Sequence, residues 1–368
     1  MPGGARDPAV STVPHDGQRI PVTVVTGFLG SGKTTLLNHL VRQPALSRCL
    51  VLINEFGTIG LDHELVADVQ DGVVEMSSGC ICCTIRGDLV RTLGEATSRF
   101  ARNGRPWFDR VLLETTGLAD PAPILYTLLN EQAIASRYDL NGIVTTVDAA
   151  NGASTLARHE ESVRQVAAAD RLLLTKTDLV PGEQVATLRG QLRQLNPVAP
   201  ILTVEHGILA PQQVLDVGVD DVHDKRRDVE RWLATTTDTS RVPTRPGHGH
   251  THDVNRHDDR IRALCLTAEA PIARNAFDHW LGFLLRAKGP DLLRVKGIVA
   301  IEGHESPLVI HGVQHVFHPP VFLERWPSAD RRTRIVCIAR DLDEQGLAGT
   351  FRACTGGAAS AAPAHQAD

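Results

Sequence analysis

A glycine-rich turn near the start of the chain constrains the fold more than any other feature. The turn, GFLGSGKT at residues 27–34, follows the apolar run PVTVVT and precedes the helical pattern TLLNHL. It satisfies G-x-x-x-x-G-K-[ST], in which the glycines let backbone N–H groups converge on phosphate oxygens at a helix N-terminus. Strand, turn and helix in this order predict a P-loop nucleotide site.

The residues of this turn have separate expected roles. Lys33 would bridge the β- and γ-phosphates, and Thr34 would ligate Mg²⁺. Further nucleotide contacts are expected from Gly27, Gly30, Ser31 and Gly32 of the turn and from Thr35 directly after it.

A second piece of the site is expected where the run LLETTG ends. Glu114 closes a strand-like segment, and an acid at a strand end near the P-loop suits Mg²⁺ or its water shell. Gly117 could offer its N–H to the γ-phosphate. The alternative is an ordinary strand-end acid, but the first interpretation makes Lys33, Thr34 and Glu114 the catalytic candidates. Leu118 stands where Ras-like GTPases carry a water-orienting Gln, which predicts slow hydrolysis.

The run LLLTKTDLV predicts which base is bound. It places Lys176 and Asp178 after another apolar strand and resembles the guanine-reading N/T-K-x-D motif. A carboxylate can accept from the guanine N1–H and N2 amino groups together, and adenine lacks that donor pair. GTP is therefore preferred over ATP. A polar turn, INEFGTIGLDHELV, offers Glu55 and Asp62 to Mg²⁺ or the γ-phosphate, unless it is only a capped turn.

The segment GCICCT, with Cys80, Cys82 and Cys83, is the candidate metal site. Three thiolates suit soft or borderline ions such as Zn²⁺ and leave a fourth position open for transfer. A redox thiol cluster and plain core cysteines are the alternatives. A later histidine-rich stretch offers a possible auxiliary set, or only solvated linker residues: His248, His250, His252 and His257.

Alternation of apolar runs with helical patterns predicts an α/β domain with a mostly parallel sheet wrapped by helices. The expected strands are 22–26, 49–53, 72–76, 109–114, 142–148, 171–175 and 200–204; the expected helices are 34–43, 88–102, 121–130, 158–168 and 183–195. A smaller α+β unit is expected after a linker. The expected organisation is a disordered leader (1–19), the nucleotide domain (20–217), a charged and His-rich linker (218–258), the second domain (259–354) and a disordered tail (355–368).

Composition narrows the partners. A net charge of −5 gives no electrostatic case for nucleic acid or an acidic membrane. No apolar run approaches the roughly 20 residues that span a bilayer. Seven cysteines, three of them crowded together, do not suggest a disulfide framework, so a reducing cytoplasm is expected. The sequence leaves open whether the chain forms a homo-oligomer.

Together these segments resemble the CobW-like P-loop GTPases, a family associated with metal handling. The resemblance rests on GFLGSGKTTLLNHL, INEFGTIGLD, SSGCICCT, ETTGLADP, LLTKTDLV and a C-terminal stretch, LLRVKGIVAIEG, and covers roughly residues 20 to 354. It implies GTP hydrolysis coupled to delivering a metal, often zinc, to a client metalloprotein, with the three clustered cysteines as the family's C-x-C-C motif. Cobalt or iron for a cobalamin-pathway or nitrile-hydratase client is an alternative. Some relatives carry acids where Ile53 and Thr58 stand here, so a metal site built from those acids is doubtful.

Two other functions fit the same residues. A zinc buffer or sensor that binds GTP only as a stabilising ligand would bind metal without metal-dependent turnover. A P-loop kinase or ATPase with a redox thiol cluster would prefer ATP and form a disulfide within the cysteine loop.

Overall fold

The computed structural model describes residues 19–54, 73–76, 84–102, 105–215, 217, 261–356 and 359–363. The described residues form two units, each with its own sheet. No helix among them is both long and apolar enough to cross a membrane.

The first unit is built on a seven-stranded parallel sheet in the order β3-β2-β6-β1-β7-β8-β9, and a short antiparallel pair, β4 and β5, lies outside it. Its strands are β1 (Ile20–Gly27), β2 (Cys49–Asn54), β3 (Val73–Met76), β4 (Ala101–Arg102), β5 (Arg105–Pro106), β6 (Arg110–Glu114), β7 (Tyr138–Asp148), β8 (Arg171–Thr175) and β9 (Ile201–Val204).

Helices cover both faces of this sheet. They are α1 (Lys33–Val41), α2 (Thr84–Arg99), α3 (Ala122–Asn130), α4 (Gln132–Ala135), α5 (Gly152–Arg158), α6 (Glu160–Ala168), α7 (Gly182–Leu195) and α8 (Gln212–Leu215), with 3-10 turns at Pro44–Leu46 and Thr177–Leu179. One apolar cluster packs α2 and α3 against the sheet, and a second packs α1 against the opposite face. The sheet is therefore buried on both sides, as continuous apolar strands require.

The second unit is a smaller antiparallel sheet in the order β13-β12-β11-β15-β10-β16, with β14 also paired to β12. Its strands are β10 (Ile261–Ala268), β11 (Leu292–Val299), β12 (Leu308–Val313), β13 (Val316–Phe317), β14 (Val321–Phe322), β15 (Thr333–Arg340) and β16 (Ala359–Pro363). Helices α9 (Arg274–Lys288) and α10 (Glu344–Cys354) pack on one face through Phe277, Trp280 and Phe351. Asp343 caps α10, since its carboxylate accepts from the Gly346 N–H at 2.9 Å.

The other face of the second sheet packs on the first unit. Ala167 and Val198 share an apolar cluster with residues of the second sheet such as Leu293. Val313 and Val316, on either side of the β12–β13 turn, are buried in the core of the first unit. The interface is therefore a continuation of both cores.

A buried ion pair lies in the same interface. Arg294 contacts the Asp170 carboxylate, and the Lys296 ammonium lies 3.9 Å from it. All three side chains are 5% exposed or less. Arg294 also donates to the Ala168 carbonyl oxygen at 2.9 Å, so the second unit is tied to the segment that joins α6 to β8.

The predicted fold class is confirmed, and several element bounds differ: β7 begins at Tyr138 rather than at residue 142, and residues 101–102, predicted to be helical, form β4. Helix α2 begins at Thr84, earlier than the predicted residue 88, because Gly87 lies inside its first turn rather than before it. Within the tail predicted to be disordered, residues 359–363 pair with β10 as the edge strand β16. Its Ala-Ser-Ala-Ala-Pro sequence has little strand propensity, so the pairing comes from the neighbouring strand. The predicted leader and linker fall almost wholly outside the described residues, and their limits stay predictions.

Candidate functional site

The P-loop is a tight turn between β1 and α1. Gly27, Gly30 and Gly32 have φ values of +143°, +70° and +94°, a region that residues with a Cβ rarely adopt. A Cβ on Gly27 would also meet the Thr146 hydroxyl oxygen at 2.3 Å. The Ser31 N–H donates to the Phe28 carbonyl oxygen at 3.1 Å, which closes the turn. Helix α1 starts directly afterwards, so its N-terminal N–H groups face the loop.

Lys33 places its ammonium over this turn. The side chain is buried, and its Nζ donates to the carbonyl oxygens of Gly27 at 3.0 Å and Phe28 at 3.3 Å. A cation at this point can exchange those carbonyl oxygens for phosphate oxygens without a large movement.

Thr34 and Glu114 meet beside the P-loop. The Thr34 hydroxyl donates to Glu114 Oε1 at 3.2 Å, and Glu114 is 1% exposed. The contact follows from the sheet, because β6 pairs with β1 and Val25 is in register with Glu114. A hydroxyl and a carboxylate oxygen are the hard ligands that Mg²⁺ prefers, so these residues fit that cation.

The segment after β6 touches the P-loop directly. A Cβ on Gly117 would lie 2.6 Å from the Leu29 backbone nitrogen, so only glycine allows this approach. Gln165 of α6 is fully buried and donates to the carbonyl oxygens of Gly117 at 3.2 Å and Ala119 at 3.0 Å. These bonds fix the backbone that carries the Gly117 N–H.

The predicted guanine-reading motif is joined to the P-loop by a hydrogen bond. The Thr175 hydroxyl donates to the Ser31 carbonyl oxygen at 2.8 Å. Lys176 follows in a left-handed conformation with φ +56°, and Asp178 lies exposed on the next 3-10 turn. The carboxylate of Asp178 is therefore accessible to a nucleobase. The bond from Thr175 to Ser31 holds the segment that carries Asp178 close to the P-loop.

Asp148 supports this motif and was not predicted from the sequence. It accepts from Lys176 Nζ at 2.8 Å, from Asn151 Nδ2 at 3.1 Å and from the Ala150 N–H at 2.7 Å. Burial opposes ionisation of Asp148, but these hydrogen bonds outweigh it and hold its pKa below the ordinary value. The stretch VDAAN, an acid at a strand end before a helix, is the signal that could have found it.

A second missed segment lies against the start of α1. Glu205 and Ile208 form an isolated bridge, and Gly207 has φ +78°. A Cβ on Gly207 would lie 2.7 Å from the Thr35 carbonyl oxygen. This turn after β9 therefore packs against the first turn of α1, and the dipeptide His-Gly was its only sequence signal.

Several predicted site residues lie outside the described residues: Glu55, Asp62, Cys80, Cys82, Cys83, His248, His250, His252 and His257. Among the residues that are described, no group of three or more His, Cys, Asp or Glu side chains is placed to hold a metal ion. The described neighbours of the cysteine cluster are the end of β3 and the first residue of α2.

The four described cysteines are free thiols. Burial raises the pKa of Cys49 and Cys337 to about 12 and that of Cys265 to about 11, and it also raises the pKa of Cys354. Thiols in this state stay protonated at neutral pH and are poor ligands and nucleophiles.

Comparison with known proteins agrees with this arrangement. Residues 21–203 match the CobW/HypB/UreG nucleotide-binding domain, and residues 261–355 match the cobalamin synthesis protein cobW C-terminal domain. The chain is 30% identical to the zinc chaperone YjiA of Escherichia coli, over 90% of this chain and 98% of that protein. It is 28% identical to the zinc-regulated GTPase metalloprotein activator 1 of Schizosaccharomyces pombe, over 90% and 85%.

The fold has a solved counterpart. The crystal structure of Zn(II)-bound YjiA GTPase from Escherichia coli aligns with a TM-score of 0.65 and 27% identity, over 92% of this chain and 99% of that one. Both units of the fold, the P-loop site and the two family matches lead to one conclusion: the chain belongs to the CobW family of P-loop GTPases.

Proposed function

We propose that this protein hydrolyses GTP and couples the hydrolysis to delivery of a transition metal, most simply Zn²⁺, to a client metalloprotein. The observation that carries the nucleotide half is the direct bonding among three separated motifs. Thr34 bonds Glu114, and Thr175 bonds Ser31, so the cation, phosphate and base ends of one site are held together. The metal half is supported by the names of the relatives, zinc chaperone and zinc-regulated GTPase metalloprotein activator.

The described residues divide the work as follows. Lys33 and the P-loop N–H groups hold the phosphates, and Asp178 accepts from the guanine edge. Thr34 and Glu114 would hold Mg²⁺, Glu114 directly or through water. When bound, Mg²⁺ supplies neutralisation of charge on the β- and γ-phosphate oxygens. Gly117 donates its N–H to the γ-phosphate. Leu118 is 52% exposed and cannot orient a water, so unaided hydrolysis is slow.

The topology supports coupling between nucleotide and metal. In a parallel sheet, β3 and β1 end at the same edge, and β3 leads to the cysteine cluster while β1 leads to the P-loop. Three strand spacings of about 4.8 Å put these two strand ends roughly 14 Å apart. Zn²⁺ would be cargo on Cys80, Cys82 and Cys83. Ile53, where some relatives carry an acid, is 8% exposed at the end of β2 and supplies no ligand.

The first experiment measures GTP turnover by the purified, metal-free protein during titration with Zn²⁺ and then Co²⁺. We expect the metal to raise the rate of GTP turnover several-fold, an effect of the size of a typical coupling free energy of about 1–3 kcal/mol between two sites. The double variant Cys82→Ala, Cys83→Ala should lose the response and keep the metal-free rate. Cys354→Ala is the matched control, because it removes a half-buried thiol of the second unit, far along the chain from the cluster.

The outcomes separate the alternatives. If the rate of GTP turnover is the same with and without either metal, and Zn²⁺ still binds, the protein is a buffer or sensor. That result would contradict delivery driven by GTP. A disulfide within the cysteine loop and a preference for ATP would support the redox ATPase. If Zn²⁺ affinity is equal with GTP and GDP, the coupling fails even where the GTPase stands.

Asp148 offers a prediction at the base end of the site. Asp148→Asn removes the ion pair to Lys176, and we expect the KM for GTP to rise about tenfold, the cost of one charge-assisted bond. Because the pKa of Asp148 is held below its ordinary value, the carboxylate is ionised throughout pH 6–8, and the wild-type KM should not change there on its account. Asp109→Asn is the control, an equal change at a partly exposed ion pair with Arg48. An unchanged KM in Asp148→Asn would contradict the assigned role.

A further inference from the structure

The segment that carries Gly117 is held on three sides. Leu29 of the P-loop lies so close to Gly117 that a Cβ there would not fit, and Gln165 of α6 donates to the carbonyl oxygens of Gly117 and Ala119. Three residues after Gly117 comes Asp120, whose carboxylate accepts from the Ala122 N–H at 3.0 Å and so caps α3. The third side comes from the second unit.

The β12–β13 hairpin of the second unit reaches into the first. Val313 and Val316 are in register across a two-residue turn, and both are buried in the core that contains α2 and α3. The turn residue Gln314 has φ +52°, an uncommon conformation for a residue with a Cβ. Its N–H donates to the Leu293 carbonyl oxygen at 3.3 Å, which anchors the turn to its own sheet.

Gln314 bonds the Asp120 carboxylate directly. Its Nε2 donates to Oδ1 at 3.0 Å and to Oδ2 at 2.9 Å, and Arg164 of α6 donates to Oδ2 at 2.8 Å. Asp120 is 23% exposed and Arg164 34%, so water competes only in part. The Gln314 amide therefore joins the two units through the Asp120 carboxylate, which lies three residues after Gly117 in the chain.

We propose that Gln314 is a positioning residue for GTP hydrolysis, through which the second unit sets the Gly117 N–H against the γ-phosphate. The inference rests on the proposed role of Gly117. Because Leu29, Gln165 and Gln314 bear on one short segment, a shift of the hairpin moves Asp120 and with it the γ-phosphate contact. A client that engages the second unit would therefore change the rate of GTP hydrolysis. If the client also changes the affinity for GTP, bound GTP changes the affinity for the client by the same factor.

The test is Gln314→Glu, which keeps the shape of the side chain but turns the donor into a carboxylate facing Asp120. We expect kcat for GTP to fall about tenfold, because a charge-assisted bond is replaced by repulsion. GDP affinity should stay within about twofold, since GDP lacks the γ-phosphate that the segment contacts. Gln345→Glu is the matched control, an equal change at an exposed position of α10 in the same unit.

A second variant pair tests the direction of the bond. Asp120→Asn combined with Gln314→Glu exchanges donor and acceptor and should recover kcat to within about threefold of the wild type. Gln314→Ala removes the donor without adding charge and should give a smaller decrease, about threefold. It also keeps the test decisive if Gln314→Glu fails to fold.

Two results would overturn the inference. One is a kcat for Gln314→Glu equal to that of Gln345→Glu, with the wild type hydrolysing GTP; the GTPase then stands and the coupling falls. The other is a loss of GDP affinity by the same factor as the loss of kcat, together with a lower melting temperature. That combination would mark a purely structural role. Absence of GTP turnover in the wild type would instead refute the proposed function.

Discussion

Replacing Asp178 with Asn is expected to weaken GTP binding about a hundredfold, the loss of roughly 3 kcal/mol from two charge-assisted hydrogen bonds. The Asp178 carboxylate lies exposed just after Lys176 and can accept from the guanine N1–H and N2 amino groups together. An Asn side chain can accept only one of these and turns its NH₂ toward a donor. A site built on hydrogen bonds rejects a mismatched partner more strongly than an apolar pocket does.

The same exchange should improve binding of xanthosine triphosphate. Xanthine carries a carbonyl oxygen where guanine has the N2 amino group, and the Asn NH₂ can donate to it. The measurement is the Kd of GTP, ATP and xanthosine triphosphate for both proteins. Asp278→Asn is the control, because Asp278 is an exposed residue paired with Arg274 on α9. GTP affinity within threefold of the wild type, or equal ATP binding by the wild type, would contradict guanine reading.

Much of the first unit follows from local sequence. The seven predicted strand runs each overlap an observed strand of the parallel sheet, since uninterrupted apolar runs are typical of strands buried on both faces. Sheet geometry then explains why Thr34 and Glu114 meet. Their two segments are 80 residues apart in sequence, but β1 and β6 are adjacent and end at one edge.

The contacts between the units could not be predicted in this way. Gln314 and Asp120 are 194 residues apart, and neither stands in a segment whose pattern indicates a partner. The buried carboxylate of Asp170 directly precedes β8, and no motif or periodicity in the sequence marks it as an interface residue. The packing of complete units decides which side chains face each other across an interface. Hydrophobic periodicity does not predict these pairs.

The buried interface charges give the second large expected effect. Asp170→Asn removes the negative charge that faces Arg294 and Lys296, and both cations are 4% exposed. Removing one partner of a buried ion pair leaves an uncompensated charge, so we expect the free energy of unfolding to fall by about 3–5 kcal/mol. The Asn oxygen can still accept from the Ile143 N–H, which donates to Asp170 Oδ2 at 3.0 Å in the wild type. The Asn NH₂ then faces Arg294, so the loss includes both the missing charge and the missing acceptor for the guanidinium.

Guanidinium denaturation of the full chain, followed by circular dichroism, measures this effect. Asp88→Asn is the matched control, because its partner Arg91 is 59% exposed and surface pairs contribute about 0–1 kcal/mol. Asp170→Asn combined with Arg294→Met should cost less than the single change, since one of the stranded charges is then gone. A single variant as stable as Asp88→Asn would mean that water or rearrangement compensates the cations. Water can reach these cations, or they can rearrange, only where the two units are loosely packed. A loosely packed interface would not fix the position of Gln314 against Asp120, so that result would also weaken the proposed coupling.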